Sequence, residues 1–574
     1  MINPNCFCIV VSLISILAGV SQAADLKPTT AKVVMRDGLV LATDVYRDSD
    51  TERASVVLVR TPYNKDRVAG VARRFVAAGY VAVIQDCRGT GASEGKLIPY
   101  NNEGQDGYDT IEWISRQSWC NGRIGMWGSS YVGAVQWQAA VEKPPGLVTI
   151  VPRATWSNFY RNLYLGGVCR TSLIARWAAG RDQPEGATPP ADWDKVLMHL
   201  PLSETDQAIG WSIPWLKGIY MHPEPNGYWN RLNLTDQITD LKMPIQHVVG
   251  YYDFFSRESV GNFMRMRNDA RDSATRDQQQ LILGPWDHGT IGGAKVGEVD
   301  FGPEARWDSV AANIDWFNRY LAKPAVNSKS FAPVRYFVMG DNQWREANNW
   351  PPAGHELTRF FLHSEGKANT RRGNGRLDRH APTKSEPADT FKADPADPTP
   401  ACPVTDSRPL HAATWAPVDQ RPIEDRDDVL VYRSEPLTQP LTFAGNAEAQ
   451  LSVSASTPDA DWAVRLIDVH PDGFAQNLAV GIIRGRYRDS ELHPKPLTAG
   501  KFYSVKIDLG PVAATIARGH RLQVDVSGAY FPLFDRNTNT GEGPTGKRTL
   551  VSTEKVYHDK THLSYVLLPI KKSE

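Results

Sequence analysis

One stretch constrains this chain more than any other: an apolar run that ends in glycine and serine and restarts as a helix. Ile124-Gly125-Met126-Trp127 reads as a buried strand and Gly128-Ser129-Ser130 as a turn, and Gly133, Ala134, Ala139, Ala140 and Val141 follow at helical spacing. A strand, a sharp turn carrying a serine and a helix make a nucleophile elbow, which lifts a serine oxygen above the edge of a sheet. The same turn sets the backbone N–H of Tyr131 beside that oxygen, at the positive end of the helix. Side chains two places away from the serine crowd each other in so tight a turn. Gly128 stands two before Ser130 and Trp127 two before Ser129, so Ser130 is the expected nucleophile. The spacing G-x-S-x-x-G departs from the common G-x-S-x-G at Val132, and on this stretch alone a plain Gly/Ser turn is the competing reading.

A length of 574 residues predicts two to four domains, and 41% hydrophobic residues with 17 tryptophans predict well-formed cores. Lys+Arg and Asp+Glu balance at 64 each, which leaves no footprint for nucleic acid or an anionic membrane. The apolar Cys6–Val20 run followed by Ser21-Gln22-Ala23-Ala24 reads as a signal peptide cleaved after Ala23, which implies a secreted or periplasmic protein. A buried N-terminal helix or an uncleaved anchor is the alternative. The run is short for a membrane span and no second one follows, so no span is expected in the mature chain. Cys87, Cys120, Cys169 and Cys402 remain after cleavage; their spacing forms no metal motif, and they leave room for one or two bridges that the sequence cannot pair. Oligomeric state, monomer or homodimer, is not legible.

Along the chain, residues 32–46 alternate around Asp37-Gly38 as a hairpin. Strands are expected at 55–59, 80–85, 124–127 and 147–151, with helices at 68–78 and 103–117 between them. This rhythm makes a mostly parallel sheet covered on both faces. The Gly-rich loop 86–95 lacks both a Lys-Ser/Thr ending and G-x-G-x-x-G, so it is read as structural rather than as a phosphate cradle. From Trp156 to Asp240 the strand rhythm stops, and aromatic residues such as Trp177, Trp211 and Trp215 lie among helical stretches and prolines, as in a cap over the sheet. Strands resume at 244–250, 280–284 and 333–339. Residues 366–408 read as a long irregular connection, and from Val429 onward only strands are expected, as in a β-sandwich or jelly roll. The expected organisation is a leader at 1–23, a core at 24–155 and 243–350, a helical cap at 156–242, and a β-domain at 351–574.

Acyl-transfer chemistry needs a nucleophile, a base and a group that orients the base. Ser130, Asp253 and His288 occur in the order Ser, Asp, His, each just beyond an apolar run, and strand ends at one edge of a parallel sheet converge. His288 would act as general base and then acid, and Asp253 would fix its tautomer. The rivals are His247, inside a strand, and Asp287, beside His288.

The set Arg60-Thr61-Pro62-Tyr63, Asp86-Cys87-Arg88-Gly89, Gly128-Ser129-Ser130-Tyr131, Gly250-Tyr251-Tyr252-Asp253 and Gly284-Pro285-Trp286-Asp287-His288 resembles the cocaine esterase / X-Pro dipeptidyl-peptidase family of serine hydrolases. The resemblance continues through Asp468-Val469-His470-Pro471-Asp472-Gly473 and Tyr530-Phe531-Pro532-Leu533-Phe534. It implies an α/β-hydrolase core, a helical cap and a C-terminal jelly roll, with no metal and no cofactor. It also implies that Tyr63 of the T-P-Y motif is an oxyanion donor alongside the Tyr131 N–H. The implied substrates are small acyl esters, with amides and amino-acyl groups as the alternative. Recognition of a free α-amine would need carboxylates in the pocket, and Asp182, Glu185, Asp192, Asp194, Glu204 and Asp206 of the cap are the candidates.

Overall fold

The computed structural model describes residues 26–48, 53–322 and 331–572. The expected leader at 1–23, with its expected cleavage after Ala23, lies outside the described residues.

Two sheets carry the molecule. The first opens with Thr29–Val34 (β1), Val40–Tyr46 (β2), Ala54–Thr61 (β3), Val81–Asp86 (β4), Cys120–Ser129 (β5) and Leu147–Arg153 (β6). Its ten strands run in the order β1-β2-β4-β3-β5-β6, then Ile245–Gly250, Gln279–Gly284, Val334–Val338 and Gln343–Ala347. Pairing is parallel from β4 through Val334–Val338 and antiparallel at both margins.

The near-continuous apolar runs follow from this arrangement, because a parallel sheet buries both faces. Along β3, Val56 and Leu58 face the helices Glu103–Ser115 (α2) and Tyr131–Val141 (α3), in a core with Ile111, Ile114 and Trp137. Val57 and Val59 face the other way, toward Phe75 of Ala69–Ala77 (α1) and Phe317 of Ser309–Tyr320. The helix α3 is sunk so deeply that every residue from Tyr131 to Ala140 is buried.

Between β6 and Ile245–Gly250 the chain leaves the sheet for short helices, among them Thr171–Arg181 and Pro214–Met221, and a two-stranded hairpin at Tyr164–Leu165 and Val168–Cys169. The second sheet is all-β and has eleven strands. Its spine is the long antiparallel pair Leu441–Ala455 and Tyr503–Ile516. The two sheets are joined directly, since the Met339 amide donates to the Ala513 carbonyl at 3.0 Å and the Thr515 amide to that of Met339 at 2.8 Å.

One expectation is corrected. Residues 366–408 are not wholly irregular: Arg376–Asp378 and Asp389–Ala393 are strands of the second sheet. Both are short, and Pro387 and Pro395 bracket the second, so no alternating pattern develops. Asp389 holds the second of them in place: its carboxylate accepts from the Ser364 hydroxyl, the Ala368 amide and the Tyr432 hydroxyl at 2.7, 2.8 and 2.9 Å. Cys87, Cys120, Cys169 and Cys402, whose bridging the sequence leaves open, are buried free thiols.

Candidate active site

Ser130 sits between β5 and α3 at φ 62° and ψ −127°, a backbone conformation that a residue with a side chain adopts only under strain. The surroundings hold it there. Its amide donates to the Arg153 and Ala154 carbonyls at 3.0 and 3.1 Å, and its own carbonyl accepts from the Thr155 hydroxyl at 2.8 Å. A Cβ on Gly128 would lie 2.1 Å from Val132 Cγ1, so only glycine fits two places before this serine. The crowding that separates Ser130 from Ser129 in the sequence is therefore visible in the turn. Next door, the Tyr131 phenol is drawn into the core, donating to Glu103 at 2.8 Å and accepting from the Tyr100 amide at 3.0 Å. What Tyr131 leaves at the elbow is its backbone N–H.

Asp253 and His288 follow two adjacent strands, Ile245–Gly250 and Gln279–Gly284. Their loops touch at Gly250, where a Cβ would fall 2.0 Å from the Trp286 carbonyl oxygen. The Tyr252 amide donates to that same oxygen at 3.1 Å. Asp253 is buried and uses both oxygens: Oδ1 accepts from the Phe255 amide at 2.7 Å and Oδ2 lies 2.9 Å from His288 Nδ1. A carboxylate only accepts, so Nδ1 carries the proton and Nε2 is the basic nitrogen. The His288 ring packs on Phe254 at 4.4 Å and Phe255 at 5.2 Å, centroid to centroid.

Tyr63 stands past the end of β3, half-buried. Its hydroxyl accepts from the Trp177 indole N–H at 3.2 Å and lies beside the Ser130 side chain. Burial, first among the causes, raises the pKa of this phenol, so it keeps its proton as a donor. Arg181 lies 5.3 Å from the centre of the Tyr63 ring and donates to the Pro62 carbonyl at 3.0 Å. The Tyr63 hydroxyl thus lies beside Ser130, and His288 is bonded to Asp253.

The rivals have other tasks. His247 is 1% exposed, wedged between Trp137 and Phe263, and burial depresses its pKa to about 4. Asp287 caps its own turn, accepting from the Gly289 amide and the Thr290 hydroxyl. Most of the cap carboxylates are also committed. Asp192 caps a short helix, Asp194 holds His411 at 2.7 Å, Asp206 accepts the Gln207 and Ile213 amides, and Glu204 lies 3.6 Å from Lys547. Only Asp182 has a line to the site: it accepts from the Trp215 indole at 3.0 Å, and Trp215 packs edge-on against Trp177.

Two neighbours of the site escaped the sequence reading. Phe254 directly follows Asp253 and forms one wall of the His288 ring. Trp415 belongs to the second sheet's territory, yet lies 6.5 Å from Phe254. An aromatic residue beside a triad candidate was the available signal for Phe254. Nothing local in the sequence marks Trp415.

Comparison with known proteins agrees with this architecture. Residues 37–290 match the X-Pro dipeptidyl-peptidase (S15 family) model, and residues 327–567 match the X-Pro dipeptidyl-peptidase C-terminal non-catalytic domain. The second match begins ahead of Val334–Val338 and Gln343–Ala347, which pair with the first sheet. The chain is 35% identical to the cocaine esterase of Rhodococcus sp. (strain MB1 Bresler), covering 94% of this chain and 98% of that protein. An α-amino acid ester hydrolase structure superposes with a TM-score of 0.84 at 26% identity, covering 98% of this chain and all of that one. An aminopeptidase from a marine sediment archaeon, Thaumarchaeota archaeon, superposes with a TM-score of 0.81 at 25% identity, covering 97% and 98%. With an α/β core, an all-β C-terminal domain and these likenesses over nearly its whole length, the chain belongs to the cocaine esterase / X-Pro dipeptidyl-peptidase family of serine hydrolases.

Proposed function

We propose that the protein hydrolyses small carboxylic esters through an acyl-Ser130 intermediate. One observation carries the reading: the Asp253–His288 bond, with Nδ1 protonated, stands at the same sheet edge as a strained serine that has the Tyr63 hydroxyl beside it. His288 Nε2 takes the Ser130 proton as the oxygen attacks the ester carbonyl. The oxyanion then receives hydrogen bonds from the Tyr131 N–H and the Tyr63 hydroxyl. His288 passes its proton to the leaving alcohol, and a water activated by the same nitrogen releases the acid. Aromatic side chains of Phe254, Trp177 and Trp215 near these groups favour an apolar acyl or alkoxy part.

A second reading, in which a free α-amine is recognised, is supported by Asp182 alone, through Trp215 and Trp177. The engagement of Asp192, Asp194, Glu204 and Asp206 elsewhere favours the ester. A panel of p-nitrophenyl esters and X-Pro-nitroanilides, run on wild type and Ser130→Ala, tests both. Turnover of the esters that disappears in Ser130→Ala supports the proposal. Turnover of the nitroanilides without the esters transfers it to the amine reading. Failure of a fluorophosphonate to label Ser130 rejects both. Export with cleavage after Ala23 belongs to the same proposal, and the intact mass of the protein recovered outside the cytoplasm checks it.

A further inference from the structure

Away from the triad, the second sheet gathers one carboxylate and two imidazoles. Asp468 lies in the strand Asp461–Val469, His470 in the turn that follows it, and His520 just before the strand Arg521–Ser527. One ligand atom of each lies within 4.8 Å of the other two. His520 Nδ1 is 2.8 Å from Asp468 Oδ1, His470 Nε2 is 3.7 Å from Asp468 Oδ2, and the two rings are 4.5 Å apart.

A hydrogen-bonded Asp–His pair needs nothing further, but His470 does not fit that account. Its Nε2 is buried and has no hydrogen-bond partner among the described residues, although a second carboxylate oxygen lies just beyond bonding distance. Ligand atoms on a tetrahedral zinc with bonds of about 2.0–2.1 Å stand about 3.3 Å apart, and the observed 2.8 and 3.7 Å bracket that value.

The electrostatics also suit a cation. Asp468 is largely buried, and a bound cation would offset the cost of burying its charge. Nearby guanidiniums are engaged elsewhere: Arg421 with Asp419 at 2.8 Å, and Arg521 with the Ser434 carbonyl at 2.8 Å. His470 and His520 keep partial exposure, so an ion can enter and a water can complete the coordination.

We propose that Asp468, His470 and His520 form a three-ligand site for a divalent transition metal of the zinc class. It ties the turn after Asp461–Val469 to the entrance of Arg521–Ser527, and the triad chemistry proceeds without it. Binding displaces the proton shared by His520 Nδ1 and Asp468 to solvent.

The test uses the full chain after chelator treatment, with Zn2+ alone titrated by calorimetry and followed by thermal melting. One equivalent should bind and raise Tm. His470→Ala, which removes no existing hydrogen bond of that Nε2, should weaken this binding by at least about tenfold and abolish the Tm rise. Asp468→Asn should do the same, and ester turnover of His470→Ala should match wild type. The proposal is overturned if the chelated wild type takes up no Zn2+. It is equally overturned if His470→Ala, with a metal-free Tm like wild type, binds Zn2+ with unchanged stoichiometry and affinity. Should both substitutions unfold the chain, His470→Gln replaces them under the same criterion.

Discussion

Removing one hydroxyl group isolates the oxyanion role. In Tyr63→Phe the ring stays, together with its contact to Arg181, and only the oxygen that bonds Trp177 and lies beside Ser130 is lost. The structural loss is one neutral hydrogen bond of 3.2 Å at a half-buried position, about 1 kcal/mol. In a chain of this size that moves Tm by no more than about 2–4 °C. The kinetic loss is larger, because charge grows on the substrate oxygen only as the tetrahedral intermediate forms. One such donor is worth about 3 kcal/mol, or roughly 150-fold in kcat. KM should change by less than about threefold, since the ground-state carbonyl gains little from the donor. The assay is steady-state hydrolysis of a p-nitrophenyl ester by wild type and variant, with Tm measured alongside. Because burial raises the phenol's pKa, the donor stays protonated, and wild-type kcat should hold level from about pH 8 to 10. A kcat within about threefold of wild type at unchanged Tm would refute the assignment and leave the oxyanion to the Tyr131 N–H alone.

The other predictions concern the base, the elbow and a buried imidazole. Asp253→Asn keeps an oxygen for the Phe255 amide but offers N–H to His288 Nδ1, so kcat should fall by about 10³–10⁴ through the wrong tautomer; a drop under about tenfold refutes the role. Gly128→Ala places a methyl 2.1 Å from Val132 Cγ1 and should cost several degrees of Tm, about 2 kcal/mol or more, part of which Gly128→Ala/Val132→Ala restores; an unchanged Tm in the single variant counts against the crowding argument. His247 is held neutral with its pKa depressed to about 4, against about 6.5 when unfolded. The unfolded chain therefore binds the proton first, and stability is full above about pH 6.5 and declines toward pH 4, by about 2 kcal/mol at pH 5. Urea melts at pH 7 and pH 5 should show this decline in wild type and a smaller one in His247→Phe; equal declines would exclude His247 as its source.

The core was legible because its constraints are local. Val56 to Val59 must be apolar on both sides of one strand, and the crowding at Gly128 is settled within five residues. The order Ser, Asp, His could be read because each residue follows its own apolar run. Tyr63 was reachable only by likeness, since a tyrosine past a strand end carries no signal of the partners it finds. Asp389–Ala393 was missed because hydrogen bonds to Asp389, not a hydrophobic period, fix it, and Arg376–Asp378 because three residues are too few for a pattern. The Gln343–Ala347 strand, exposed along much of its length, also lacks a buried pattern to read. His470 and His520 stand 50 positions apart, and only the return of a distant strand brings them together.

The contact of Trp415 with Phe254 has a practical consequence. The imidazole of His288 leans on Phe254, and Phe254 leans on a residue from the C-terminal half. Tyr252, one place before the carboxylate, donates to the Asn477 carbonyl at 3.1 Å, and Arg257 reaches Asp508. Anyone trimming this polypeptide to a minimal catalyst near residue 350 would strip the outer support from the base itself. The accessory half is scaffolding for the chemistry, and engineering it for solubility or fusion will be felt in turnover.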